Sequence, residues 1–231
     1  AATTSGASAS GDWEVRSLKL PLMIRIPIRL MFGIRNPRAK ILGQELAGEV
    51  ESVGKAVTRF KVGDRVFGTP GLMFGAYAEY ICLSEKALLL PIPANLTYEE
   101  AAVVPVGALE AYHFLRQANI QAGQKVLVYA AGGSIGTYAV QLAKTYGAEV
   151  TAVDTGAKLD MLRGLGADHV MDYTREDFAK NGQTYDVVYD VIGKSSFASS
   201  IRALKANGRY LLGNAGLSQT LRGAWLSRKS A

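Results

Sequence analysis

The sequence predicts an α/β protein, a doubly wound parallel sheet preceded by a smaller β domain. Three observations predict it. From Lys125 onward, short apolar runs alternate with helix-like stretches; such alternation implies parallel strands joined by crossovers and covered on both faces. Before Cys82, short apolar stretches are bounded by glycines, which is an all-β texture with tight turns. The 25 glycines in 231 residues suit a fold with many such turns.

Residues 1–11 are rich in Ala, Thr, Ser and Gly without periodicity and read as a loop or frayed end. Residues 13–38 mix apolar and basic side chains around three prolines, so short helical turns are expected. Their most apolar part, Leu18 to Ile34, is interrupted by Arg25 and Arg29 and broken by Pro21 and Pro27, so it is too short and too charged to span a bilayer. Leu18 to Arg35 is expected to cover a cleft, to form an oligomer contact or to lie on a membrane surface. Gly48 to Gly54, Arg65 to Gly68 and Gly75 to Ile81 read as strands. Residues 97–118 read as helical, opened by Thr97 and Glu100 at capping-box spacing and divided in two by Pro105 and Gly107. Asn119 to Gln124 is polar, contains Gly123 and precedes a strand, which divides the chain into domains 1–118 and 119–231. Beyond it, strands are expected at Lys125–Ala130, Glu149–Asp154, His169–Met171, Tyr185–Val191 and Arg209–Gly213. Helices are expected at Ser134–Tyr146, Ala157–Leu165 and Ser195–Lys205.

The 48% hydrophobic and 20% charged content is that of a soluble globular protein. The net charge of +6 comes from scattered Lys and Arg without a nucleic-acid motif. Nucleic acid is therefore disfavoured as a partner, and a basic surface that attracts anionic ligands is preferred. Cys82 is the only cysteine, which excludes an internal disulfide. With no visible signal peptide, a cytoplasmic location is expected. His113, His169 and Cys82 are too few for a His/Cys zinc site, so no metal is expected.

The strongest motif is Val126 to Gly136, which reads as G-x-G-x-x-G with Ala131 in the first glycine position. Its setting between a strand and a helix supports a Rossmann dinucleotide-binding unit. Gly132 lies within the motif. Gly133 would let a pyrophosphate approach the backbone, and Gly136 would let helix and strand pack closely. Ser134 and Ile135 open the helix, whose amides would face the phosphates. Ala131 costs little if its turn needs no positive φ. Asp154 ends the next strand about 20 residues on, where an acid would accept bonds from the adenosine ribose and repel a 2′-phosphate. Its alternative is a turn or N-cap residue before Ala157.

Further runs carry a resemblance. They are Gly43-Gln44-Glu45-Leu46-Ala47-Gly48-Glu49-Val50, Phe60 to Gly68, Gly75 to Tyr80, Ala139 to Lys144 and Gly166 to Val170. Together they resemble the medium-chain dehydrogenase/reductase superfamily in its zinc-independent, quinone oxidoreductase-like branch, over roughly Asp12 to Gly216. The resemblance implies a partial GroES-like domain before the Rossmann domain, an active site in the cleft between them, and a chain truncated at both ends relative to the family. It implies hydride transfer from NAD(P)H to a small-molecule quinone, enone or other conjugated carbonyl, and a homodimer paired through Rossmann edges.

Gln44 stands where zinc-dependent relatives carry a histidine ligand, and the four-cysteine structural-zinc loop is missing. Lys158 and Tyr173 match residues that hold the NADP 2′-phosphate and the adenosine end; the alternatives are a solvated lysine and a packing tyrosine. Lys158 and Tyr173 thus favour NADPH, while Asp154 slightly favours NADH. Ile192-Gly193 and Gly213-Asn214 should line the nicotinamide crevice. Tyr77 is a candidate donor to the acceptor oxygen, or a packed aromatic. Glu110 replaces the family threonine beside the nicotinamide; it would orient a water or the carboxamide, or only cap a helix. The family's cleft asparagine is unmatched, with Ala9 or Ser10 in that region. The alternatives to a reductase are a non-catalytic dinucleotide-binding redox sensor or RNA-associated protein, and a zinc-dependent alcohol dehydrogenase, which Gln44 disfavours.

Overall fold

The computed structural model describes residues 40–213, together with Ile26 and Leu30. The expectations for residues 1–11, for Leu18 to Arg35 and for Asn214 lie outside the described residues. Contacts divide the chain into two compact units, Ala1–Val106 and Gly107–Ala231.

In the first unit, β1 (Leu46–Glu49), β2 (Arg65–Thr69) and β3 (Leu88–Pro91) form an antiparallel sheet in the order β1-β2-β3. Successive side chains of a strand point to opposite faces. Accordingly Leu46 packs with Ala76 and Leu89, while Ala47 packs with Ile92, Ala101 and Ala102. The expected strand over Gly75 to Ile81 is absent. Gly75 adopts φ +105°, and among the described residues Ala76 N donates to Gly43 O and Tyr77 N to Leu42 O. β3 was not expected, and β1 starts two residues earlier than the run read from Gly48.

α1 (Tyr98–Ala102) opens with the expected capping box, in which Thr97 Oγ1 accepts from Glu100 N and Glu100 Oε2 accepts from Thr97 N. The break before α2 (Pro105–Ala118) falls at residues 103–104, and Gly107 lies inside α2 rather than dividing it. Proline is tolerated in a helix's first turn, so Pro105 starts α2.

The second unit holds a five-stranded, all-parallel sheet. Its strands are β4 (Lys125–Tyr129), β5 (Glu149–Asp154), β6 (His169–Asp172), β7 (Tyr185–Asp190) and β8 (Leu204–Leu212), in the order β6-β5-β4-β7-β8. α3 (Ser134–Thr145), α4 (Leu159–Gly164) and α5 (Phe197–Arg202) connect strands. One face carries a core of Val126, Val128, Val150, Val187 and Tyr189 against Ala111, Leu115, Ala139, Val140 and Leu162. The opposite face packs Leu127, Val153, Met171 and Tyr185 with Phe178 and Ala203. Burial on both faces explains why these strands read as continuous apolar runs. The helix expected over Ala157 to Leu165 begins as a 3-10 turn, Gly156–Lys158, and the one expected over Ser195 to Lys205 is confined to α5. β8 is longer than expected and joins β7 through a register shift after Tyr185.

Candidate dinucleotide site

The strand order reverses at β4, with β5 and β7 on either side. In such sheets the ligand crevice lies outside the strands' carboxyl ends at that switch point. Here β5, β6 and β7 end on Asp154, Asp172 and Asp190. The loop from β4 to α3 runs between them.

Its geometry follows from a few atoms. Ala130, not Ala131, takes the left-handed conformation, at φ +62°. Ala131 is buried and needs no positive φ, consistent with the absence of a glycine there. A Cβ on Gly136 would lie 2.5 Å from Ala130 O and 2.6 Å from Ala131 Cα, so only glycine permits this approach of α3 to the loop. Gly133 is the N-cap of α3, without a side-chain cap. A Cβ there would meet nothing nearer than 3.8 Å. The first amides of α3, at Ser134 and Ile135, therefore start beneath open backbone, and helix amino ends favour anions.

Asp154 is almost fully buried. Its Oδ2 accepts from Gly132 N at 2.8 Å, and its Oδ1 accepts from Thr155 N at 2.8 Å. The carboxylate thus ties the end of β5 to the glycine loop, and the N-cap of the following turn is Thr155. Lys158 Nζ lies 3.5 Å from Asp154 Oδ1, and a Cβ on Gly132 would fall 2.3 Å from Lys158 Cδ. The two residues expected from the sequence to favour different dinucleotides are thus an ion pair laid across Gly132. Tyr173 is exposed, with its ring 5.9 Å from that of Tyr129. Burial first, then the nearby Asp190, pushes the Tyr129 phenol upward, keeping it neutral.

Asp190, which sequence reasoning did not single out, is fully buried. It accepts from Gly193 N at 2.9 Å, Ser195 N at 2.8 Å, Ser195 Oγ at 2.5 Å and Tyr210 Oη at 3.3 Å. Gly213 N donates to Asp190 O at 2.9 Å, and a Cβ on Gly213 would lie 2.5 Å from Val191 O. Ile192, Gly193 and Gly213 are thereby gathered at the carboxyl end of β7.

Glu110 lies in the middle of α2, away from that helix's own ends. Burial pushes its carboxyl above the ordinary carboxylate value, against the lowering effect of His113. The Tyr189 hydroxyl on β7 is buried without a hydrogen-bond partner, and burial first, then Glu110 and Asp190, raise its pKa strongly. Phe114, one turn beyond Glu110, packs its ring 5.3 Å from that of Tyr189.

In the first unit, Tyr77 is exposed and its backbone presses on Gly43, where a Cβ would lie 2.6 Å from Tyr77 N. Gly43 precedes Gln44. Glu45, also missed, is buried and accepts from Val106 N at 2.9 Å. Among the described residues no group of three His, Cys, Asp or Glu side chains could hold a metal ion, and Cys82 is exposed. The described residues do not fit a zinc centre. No helix among the described residues is long and apolar enough to cross a membrane.

A cavity of about 310 Å3 lies at the amino ends of the strands, lined by Lys125, Glu149, His169 and Gln183 among others. Its polar groups bond to one another, His169 Nε2 to Glu149 Oε1 at 2.9 Å and Lys125 Nζ to Gln183 Oε1 at 3.3 Å. It stands away from the glycine loop and is not the candidate site.

A parallel sheet in this order with a glycine loop at its switch point, preceded in the chain by a unit with a small antiparallel sheet, defines a two-unit dehydrogenase-type protein. The family model described as alcohol dehydrogenase GroES-like domain matches residues 10–94, and the one described as zinc-binding dehydrogenase matches residues 134–221. A 2-methylene-furan-3-one reductase of Solanum lycopersicum is 36% identical over 182 residues, covering 75% of this chain and 46% of that protein. A quinone oxidoreductase of Pseudomonas aeruginosa is 38% identical over 175 residues, covering 72% and 53%. The crystal structure of an alcohol dehydrogenase superfamily protein from Novosphingobium aromaticivorans matches with TM-score 0.75 and 32% identity, over 96% of this chain and 67% of that one. The chain belongs to the medium-chain dehydrogenase/reductase superfamily, and its fold is a Rossmann unit preceded by a GroES-like unit. It spans about half the length of the curated relatives it matches.

Proposed function

We propose that this chain is the dinucleotide-binding part of a zinc-independent NAD(P)H-dependent oxidoreductase that reduces a quinone, enone or other conjugated carbonyl. The observation that carries the reading is the β4–α3 loop: Gly136 locks it against the helix, Asp154 holds the Gly132 amide, and Gly133 leaves the amino end of α3 open. When bound, a reduced nicotinamide supplies the hydride. The protein's share is to bind the pyrophosphate at residues 132–136, to seat the adenosine end among Asp154, Lys158 and Tyr173, and to hold Ile192, Gly193 and Gly213, with Asn214, along the nicotinamide end. Tyr77 is the candidate donor to the oxygen that gains charge in the acceptor. The reductase names of the curated relatives support this acceptor class, and Gln44 supports a reaction without zinc.

The test is a panel of quinones, enals and alcohols with NADH and NADPH on the protein, with and without a chelator. Reduced-cofactor oxidation by quinones or enals, insensitive to chelator, is expected. Cofactor binding without turnover on any acceptor favours the non-catalytic reading.

The Asp154–Lys158 pair makes the choice of dinucleotide a balance. With the acid in place, NADH is slightly favoured, because a 2′-phosphate would meet a carboxylate before it meets the lysine. Asp154→Ser frees Lys158 and removes the repulsion, so the ratio of NADPH to NADH affinity should rise about tenfold. Measured dissociation constants for both dinucleotides check it, and an unchanged ratio shows that Asp154 does not read the ribose.

A further inference from the structure

We propose that the cavity at the amino ends of β4, β5, β6 and β7 is a second ligand site, for a small neutral polyol of the monosaccharide class. The glycine loop follows the carboxyl end of β4, so the two sites lie at opposite ends of the strands. These four strands open on Lys125, Glu149, His169 and Tyr185, and all four residues line the cavity. The register brings them together. Lys125 pairs with Glu149, and Thr151 pairs with Leu127 on one side and His169 on the other. Paired residues share a sheet face, as do residues two apart on one strand. Lys125, Glu149, Thr151 and His169 therefore stand on the face whose core holds Leu127, Met171 and Tyr185. Toward the amino ends that core gives way to polar side chains around a space of about 310 Å3, and the chain leading into β7 adds Asn181 and Gln183 to its wall.

Two buried hydroxyls point to a ligand. Thr151 is 6% exposed and Tyr185 is 2% exposed. Among the described residues neither hydroxyl has a hydrogen-bond partner, yet neither oxygen is sealed off as that of Tyr189 is. The cavity that both residues line is the space those oxygens meet. Buried hydroxyls ordinarily carry a partner, and a molecule in the cavity would supply it.

The chemistry of the wall selects that molecule. Its charges are already matched: Glu149 Oε1 meets His169 Nε2 at 2.9 Å and Lys125 Nζ at 3.6 Å, and Lys125 Nζ donates to Gln183 Oε1 at 3.3 Å. Asn181 Oδ1 accepts from Gln183 N at 2.9 Å. An anion would face Glu149 and a cation would face Lys125, so a neutral ligand is favoured. The remaining capacity is mixed. The side-chain NH2 groups of Asn181 and Gln183 donate, Glu149 Oε2 accepts, and the Thr151 and Tyr185 hydroxyls do both. Ligand hydroxyls also do both, so a polyol matches every one of these groups. Size agrees, since at about 30 Å3 per water the space holds roughly ten waters, close to the heavy-atom count of a hexose.

D-Glucose is the probe, added to the protein while its amide chemical shifts are recorded, at up to about 50 mM, well below the concentrations at which sugars stabilise proteins by exclusion. Saturable shifts are expected at Lys125, Thr151, His169, Gln183 and Tyr185, with residues 132–136 unmoved. Thr151→Val and Tyr185→Phe each remove one hydroxyl at nearly constant shape. Each should weaken glucose binding about fivefold while Tm holds or rises slightly, because the lost hydroxyl had no partner in the protein. A merely structural role would instead lower Tm and leave the affinity unmoved. Glycine and inorganic phosphate should bind more weakly than glucose. Shifts that grow linearly with glucose, which would mean that water alone fills the cavity, overturn the proposal. So do unchanged affinity in both variants and tighter binding of glycine or phosphate.

Discussion

Gly136→Ala should abolish useful dinucleotide binding while also destabilising the second unit. The new methyl would meet Ala130 O, Ala131 C and Ala131 Cα at 2.5–2.6 Å, all backbone atoms that cannot swing aside. Either α3 retreats from β4 or the loop shifts. Overpacking of this kind costs about 1–3 kcal/mol, and a loop displaced by a few tenths of an ångström should lose at least about tenfold in affinity. Gly133→Ala is the paired control. Its methyl has space, at 3.8 Å from the nearest atom, and its φ of −93° suits any residue. Thermal stability should hold or rise slightly, while affinity falls because the methyl stands where a phosphate would approach. Thermal melts with dinucleotide titrations separate the two outcomes. Equal loss of stability in both variants would show that the loop does not depend on the Gly136 approach.

Asp190→Ala should produce the largest loss of stability. Removing the carboxylate takes away the acceptor of the Gly193 and Ser195 amides and one partner of the Ser195 hydroxyl, which still meets Ser200 Oγ, all at the end of β7. Leaving buried donors unsatisfied costs about 1–3 kcal/mol each where water cannot reach them, so a total near 3 kcal/mol is expected. For a domain of this size that lowers Tm by roughly 10 °C. Asp190→Asn should recover part of it, since an amide oxygen still accepts while its NH2 faces donors. The segment Val191–Ser195 should also exchange its amide hydrogens faster in the alanine variant. Unchanged protection there would show that Asp190 does not hold the segment.

The parallel sheet was legible because physics writes it plainly. Val126, Leu127 and Val128 are buried on both faces and read as an unbroken apolar run, and β5, buried likewise with only Thr151 polar between Val150 and Val153, matches its expected bounds. The capping box at Thr97 was legible because both partners lie within one turn. β3 was not. Leu88 and Leu90 are exposed, so the run Leu88 to Pro91 shows no alternation with polar residues. The opposite error occurred at Gly75 to Ile81, where alternation is present but the segment opens on a left-handed Gly75 and forms no regular strand.

The site divides in the same way. The glycine loop and Asp154 were read from spacing within a single βαβ unit. Asp190 escaped because its partner Tyr210 lies 20 residues away and on another strand, although Gly193 and Ser195 close behind a strand-ending aspartate were a usable signal for a loop-holding carboxylate. Glu45 escaped because its partner, Val106, is 61 residues distant. The pairing of Asp154 with Lys158 was hidden in plain view. Both were singled out for opposite roles, and only their approach across Gly132 makes them one device.

The central claim is that the loop from Ala131 to Gly136 binds the pyrophosphate of a nicotinamide dinucleotide. It is tested most directly by recording amide chemical shifts of the protein during titration with NADH. The account predicts saturable shifts concentrated at Gly132, Gly133, Ser134, Ile135 and Gly136, with smaller ones near Asp154 and Gly193, and their loss in Gly136→Ala. Saturable shifts that leave this loop unmoved, or no binding at millimolar NADH by the folded protein, would contradict it.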